Sequence, residues 1–405
     1  MLHWIWLQHT LGISSSVRTQ EIVGAFGSDA ARKIYESSDY ERRLAGVFSS
    51  IQLEKLRNTK LEPAQAIVEA CDQYQMHMLS PESPNYPSHL REIPNHPLVL
   101  YLRGSLQCFQ SALGIAIVGT RRAKRNSIDI ASNLSAALVR AGCVVVSGGA
   151  LGIDSAAHYG ALQAKGCTAA VLGCGINCNY LPENQRLRDA IAATGAIISE
   201  YPPGTQPLAH HFPTRNRIIS GLCVGTIVVE AGERSGSLIT AECALEQGRD
   251  VFAVPGDAFG SSYTGANKLI REGAKPVFGA IDVLEEYELQ YPHLLNMRMV
   301  RDRIEKQGIN TTQVPVAKAR AAKRVQHLPP PTPKSAEVSV QPTRAFSPVE
   351  TQVIELLAQK PLHIDALVKQ TGQKLGTMFT VLTVLEMDGL IHQTPGKFFE
   401  LTAET

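Results

Sequence analysis

Two basic clusters carry the residue types best suited to holding an anion: GTRRAKRNS, beginning at Gly119, and FPTRNRIISGL, Phe212 to Leu222. The first sets Arg121, Arg122, Lys124 and Arg125 beside a glycine, after the apolar run GIAIV and before an amphipathic stretch. A strand-to-helix junction lets the glycine backbone approach a ligand and puts the charges beside the unpaired amides of a helix start, which is what an anion site needs. The second cluster places Arg215, Asn216 and Arg217 after Pro213, at a junction between a loop and the next element. Arginine suits phosphate because its planar fork bonds two oxygens at once and its face stacks on a base. A solvated basic turn is the plain alternative for either cluster alone; two such clusters, after the first and the fourth strand candidates, favour an anion.

The remaining glycine-rich segments offer less. SGGALGID, Ser147 to Asp154, lacks the G-x-G-x-x-G spacing, and no Walker-type Gly-Lys-Ser/Thr follows any loop, so no nucleotide cofactor is expected. Gly148, Gly149 and Gly152 then serve tight packing, with Asp154 capping the next helix. His158, one turn further on, is a ligand contact or a structural histidine, and the structural reading is preferred. EAGERSGSLITAE puts Glu230 at a strand end and Ser235, Gly236 and Ser237 at a helix start, a place for phosphate or for a catalytic carboxylate. No nucleophile, base and orienting group accompany it, and Cys174-x3-Cys178 has no second ligand pair, so no catalytic residue and no metal are assigned.

The elements that must position these loops follow from the alternation of apolar runs with amphipathic stretches between Gly114 and about residue 290. GIAIVG, CVVVSGG, CTAAVLG, AIISE, CVGTIVVEA and DVFAVPG are the strand candidates, each followed by a loop and most by a helical pattern. Continuous apolar strands separated by helices predict a parallel sheet covered on both faces, an α/β fold of the extended Rossmann-like, doubly wound kind. Ligands of such sheets bind outside the carboxyl ends of the strands, and every loop described above emerges there.

The flanks differ in character. Of 405 residues 44% are apolar and 19% charged, with 32 glycines, which predicts a globular chain with more than one domain. The net charge of +2 conceals segregation: residues 297–345 carry ten basic and three acidic groups, and 346–405 carry four and seven. We expect a helical domain over 1–79, SAM-like or a helix-hairpin, with helical patterning from Ile13 to about Met78. A Rossmann domain is expected over 80–296, a basic Pro- and Ala-rich linker over 297–345 and a winged helix over 346–405. Pro81 to Pro97 is expected to run extended, because proline excludes helix from the residue before it. Eight dispersed cysteines indicate free thiols. The start MLHWIWLQHTLGI lacks a basic leader and a small-residue cleavage site, and no run reaches about 18 uncharged apolar residues, so a cytoplasmic location without membrane contact is expected.

Taken together, YPSHL, VGTRR, SGGALGIDSAAH, AVLGCGINCNYLPEN, ISEYPPG, FPTRNRIISGL, VVEAGERSGSLITAECALEQGRDVFAVPG and GANKLIREGA resemble the DprA/Smf family of DNA-processing proteins over about half the chain. The resemblance implies a protein that is not an enzyme, binds and protects single-stranded DNA, dimerises, and helps load the RecA recombinase during natural transformation. It also implies a pocket of Gly119, Thr120, Arg121 and Arg122 with Ser147, Gly148 and Gly149, joined by Arg215, Asn216 and Arg217. Leu181 departs from the family, which often has proline after the tyrosine; Asn184 is kept, and Gln185 and Arg186 stand near where a lysine is common. Single-strand sites add aromatic platforms, for which Tyr180, Tyr201 and Phe212 are the candidates. The winged helix's third helix, Lys374 to Asp388, holds one lysine against Glu386 and Asp388, which favours protein contact or dimer support over duplex reading. The competing readings are a Rossmann-fold nucleoside-phosphate hydrolase of the lysine-decarboxylase-like type, whose P-G-G-x-G-T-x-x-E signature is absent, and a regulator acting through the winged helix.

Overall fold

Runs of small and β-branched apolar residues become the strands of a nine-stranded sheet in the computed structural model. The structure describes residues 1–13, 19–298 and 301, and in the C-terminal part 346–358, 360–373, 377–378, 381–382, 385–386, 390–394 and 398–402. Strands β1 (His77–Leu79) and β2 (Leu100–Gly104) form an antiparallel edge. The parallel strands are β3 (Leu113–Val118), β4 (Cys143–Ser147), β5 (Thr168–Leu172), β6 (Ala196–Ser199), β7 (Gly225–Val228), β8 (Asp250–Ala253) and β9 (Lys275–Pro276). Their order across the sheet is β1-β2-β6-β5-β4-β3-β7-β8-β9. Ile115 of β3 is in register with Val145 of β4 on one side and Gly225 of β7 on the other. The chain therefore runs outward from β3 to β6, then crosses back to β7. That reversal opens a crevice between the loops that follow β3 and β7.

Strand periodicity assigns the faces. Leu113, Ile115 and Ile117 pack with helices α8 (Arg125–Arg140) and α9 (Ile153–Gln163), while Ala116 and Val118 pack with α11 (His211–Gly221) and α12 (Gly236–Glu246). Helix α10 (Gln185–Thr194) lies between β5 and β6 in sequence, and α13 (Thr264–Arg271) between β8 and β9. Helix α1 (Leu2–Leu11) was not anticipated, because Trp4, Ile5, Trp6 and Leu7 are all buried and leave no polar stripe for periodicity to reveal. It joins α2 (Thr19–Phe26), α3 (Ala30–Glu36), α5 (Ser50–Asn58) and α6 (Glu62–Gln73), with α4 (Asp39–Leu44) between α3 and α5 in sequence, in a core shared with Tyr101, Ala170, Leu172 and Ile197 of the sheet. Among the described residues, no helix is long and apolar enough to cross a membrane.

The proline-rich connector is not wholly extended. Ser88–Glu92 forms the short helix α7, with Pro87 as its N-cap, and Ile93 returns to extended backbone ahead of Pro94. Five proline-free residues suffice for one turn, and the restriction acts only on the residue preceding each proline.

The described residues beyond 316 form a separate compact unit. Helices Pro348–Leu357 and Ile364–Thr371 accompany a three-stranded antiparallel sheet in which Phe398–Leu401 lies between Leu362–His363 and Ile391–Thr394. Ser347 and Glu350 close a capping box on the first helix. Of the expected third helix, residues 377–378, 381–382 and 385–386 are described and helical, with Met378, Leu382 and Leu385 buried at helical spacing. The rest of Lys374 to Asp388 and nearly all of the basic segment 297–345 lie outside the described residues.

Candidate nucleic-acid interface

A cleft of about 710 Å³ occupies the crevice where the strand order reverses. Three segments wall it: Gly119–Arg122 after β3, the first turns of α11, and Ser235–Ser237 at the start of α12. The first is clamped by backbone bonds. Thr120 N donates to Glu230 O at 2.8 Å, Ile153 N donates to Thr120 O at 3.2 Å, and Arg122 N donates to Thr120 Oγ1 at 3.2 Å. Such closeness requires glycine opposite. Gly152 has φ +76°, and a Cβ there would lie 2.4 Å from Thr120 O. The clamp leaves Arg121 and Arg122 exposed, with no side-chain ion pair among the described residues.

Phe212 is the aromatic centre of the cleft. Its ring lies 5.3 Å from the Arg121 guanidinium and 5.8 Å from that of Arg215, and it packs tilted against Tyr180 with centroids 5.2 Å apart. Arg215 also lines the cleft, though it is only 5% exposed. Its Nη1 donates to Gly148 O at 2.9 Å and to Val171 O, and its Nε donates to Asn216 Oδ1 at 3.2 Å. Burial lowers its pKa, opposed by the charge of Asp154, whose own carboxyl is raised by burial and lowered by Arg215. Arg215 thus braces β5 and the glycine loop after β4 while presenting one face to the cleft. The start of α12 adds Ser235 and Gly236; a Cβ on Gly236 would meet nothing within 4 Å. An 11-residue helix directs its positive end at this space.

The structure redistributes several residues named from sequence. FPTRNR is not a loop: α11 begins at His211, and Pro213 is tolerated because a first-turn amide needs no partner. Helical geometry then separates Arg217 from Arg215 by about 200° around the axis. Arg217 does not line the cleft and instead donates from Nη2 to Glu200 at 2.7 and 2.9 Å. Asp154 does not cap α9, whose N-cap is Gly152; from inside the first turn it accepts from Gly148 N at 3.1 Å and Ala150 N at 3.4 Å, tying the glycine loop.

Ser147 is fully buried and donates to Ile117 O at 2.6 Å, within the sheet. Gly148 and Gly149 support Arg215 and Asn184 through their carbonyls and do not line the cleft. Asn184 donates to Gly149 O at 3.3 Å and Ser155 Oγ at 3.0 Å, while Arg186 is exposed away from the lining. Tyr201 is core, stacked on His211 at 4.1 Å. His158 is a structural histidine, 0% exposed, with Nδ1 2.7 Å from Thr168 Oγ1 and its pKa lowered to about 3 by burial and by Arg215.

Two contributions escaped the sequence reading. Ser235 and Gly236 were noticed but not assigned, since only the fold shows which helix start faces the basic loop. Arg188 donates to Tyr180 O at 2.6 Å and Leu181 O at 3.2 Å, holding the loop that carries Tyr180. There Leu181 takes φ +50°, a conformation closed to proline, which agrees with the departure from the family at this position.

Comparison with known proteins completes the picture. The family described as DNA recombination-mediator protein A matches residues 77–288, and the DprA winged helix domain matches 329–397. Protein Smf of Synechocystis is 33% identical over 367 residues, 87% of each chain. DNA processing protein DprA of Streptococcus pneumoniae is 47% identical over 203 residues, 50% of this chain and 71% of the relative. The X-ray structure of that pneumococcal protein superposes with a TM-score of 0.61 at 35% identity, covering 71% of this chain and 98% of the other. The chain belongs to the DprA/Smf family of DNA-processing proteins.

Proposed function

We propose that this protein binds single-stranded DNA in the cleft between β3 and β7 and acts by binding, with no covalent step. The observation that carries the reading is that exposed Arg121 and Arg122, with no side-chain ion pair among the described residues, line one cleft with Phe212, whose ring lies under Arg121, and with the start of α12. Phosphates suit the arginines and the helix end, and an unstacked base suits the ring. Duplex bases are already stacked on one another, so a recessed ring favours a single strand. The contact set is Gly119, Thr120, Arg121, Arg122, Phe212, Arg215 and Asn216, extended by Ser235 and Gly236. Protection of incoming DNA, loading of RecA during natural transformation, dimerisation and a cytoplasmic setting complete the proposal and rest on family membership.

The test is a salt titration of oligonucleotide affinity for the wild type and for Arg121→Ala/Arg122→Ala. For single strands the log–log slope is about −0.7 per phosphate neutralised, so losing two contacts flattens it by about 1.4. A wild type that prefers single strands, with a weaker and shallower variant, supports the reading. Equal binding by both proteins, or turnover of a nucleoside monophosphate, overturns it in favour of the hydrolase.

A further inference from the structure

Arg217 is the basic residue of α11 that the cleft does not use. Its Nη2 lies 2.7 and 2.9 Å from the two carboxylate oxygens of Glu200, which is 3% exposed just past β6. The pair is held from behind. Gln8 of α1 donates from Nε2 to Glu200 O at 3.2 Å and Val99 O at 3.3 Å, and its Oε1 accepts from Tyr101 Oη at 2.9 Å. Gln247, just past α12, donates to Arg217 O at 2.9 Å. One polar network, buried at Gln8, Tyr101 and Glu200 and part-buried at Arg217 and Gln247, thus joins the N-terminal helix, the antiparallel edge of the sheet and both helices that wall the cleft. Arg217 Nη1 and His96 Nε2 have no partner among the described residues, and both residues line a cavity of about 30 Å³, large enough for a water.

We propose that Arg217 and Glu200 are a positioning pair: they set the placement of α11, and with it Phe212, Arg215 and Asn216, while Arg217 itself does not touch the strand. The inference rests on the reading of the cleft as a single-strand site. An ion pair with one buried member is a poor source of net stability and a good device for fixing one arrangement, because the buried carboxylate tolerates few positions other than beside its partner. Through Gln8, the N-terminal helices take part in holding that arrangement.

Glu200→Gln separates the possibilities by sign. Were Arg217 a phosphate ligand, Glu200 would compete with DNA, and neutralising it would tighten binding and steepen the salt slope by about 0.7. As a positioning pair, the same change leaves the part-buried Arg217 without its counter-charge, and affinity falls on the order of tenfold with the slope altered by less than one contact. The double variant Glu200→Leu/Arg217→Met removes both charges at similar volume. It is expected to recover most of the affinity that the single changes lose, which no lost phosphate contact allows. Tighter binding by Glu200→Gln overturns the proposal. So does a double variant as weak as Arg217→Ala with a shallower slope, or a Glu200→Gln protein that melts earlier yet binds like the wild type. Arg121→Ala is run alongside: if it too binds like the wild type, the cleft assignment itself has failed.

Discussion

Phe212 and Arg121 face each other across 5.3 Å, so each conditions what the other does for a ligand. The ring offers a face for a base, and the guanidinium above it offers both a phosphate contact and a second stacking plane. These contributions differ in their response to salt. Phe212→Ala removes a stacking surface without removing charge, and base–aromatic stacking is worth about 1–3 kcal/mol. We therefore expect single-strand affinity to fall about 5- to 150-fold with an unchanged log–log slope. Phe212→Trp is expected to retain binding. An oligonucleotide titration at three salt concentrations checks both. A shallower slope for Phe212→Ala would mean that the ring's role is to hold Arg121 in place, not to receive a base.

At the level of elements, the strands were legible because β3 to β8 are short apolar runs ended by glycine or a polar loop. The basic loop after β3 was legible for the same reason. Positions within α11 were not, since a proline near its start mimics a loop and only the helix axis reveals that Arg215 and Arg217 face opposite ways. Helix α1 was hidden because its buried residues run unbroken from Trp4 to Gln8 and leave no polar stripe. Helix α9 illustrates what sequence leaves open: His158 pins it to β5 through Thr168. With a folded pKa near 3 against an ordinary 6.5, His158 binds a proton in the unfolded chain long before the folded one does. Its contribution is present above about pH 6.5 and is lost as pH falls toward 3, at about 1.4 kcal/mol per pH unit. Between pH 6.5 and 5 this amounts to about 2 kcal/mol, above the range where most carboxylates titrate. Urea unfolding of the wild type and His158→Gln at pH 7 and 5 measures it: the variant should be less stable at pH 7 and lose less on acidification. Equal losses would mean that the ring protonates in place.

Across the whole molecule, charge is divided in a way the net value of +2 hides. Residues 302–345 hold eight basic groups against three acidic, while 346–405 hold four against seven. A single strand is a polyanion, and a basic segment on the same chain attracts it without reading its sequence. Residues 346–405, net acidic, are expected to oppose that attraction, though a winged-helix match would suggest a duplex reader. Truncation separates these roles. A chain ending at residue 301 keeps Leu295 and Met297, which are buried in the core beneath α8, and so keeps the cleft intact. We expect it to bind single strands more weakly than the full chain and with a shallower salt slope. A chain ending at 345 should recover both the affinity and the slope, because it regains the basic segment without the acidic unit. Should duplex affinity appear in the full chain and vanish when 346–405 is removed, the winged helix reads DNA despite its charge. In that case the contact would have to come from a few well-placed side chains, and the loss would depend little on salt.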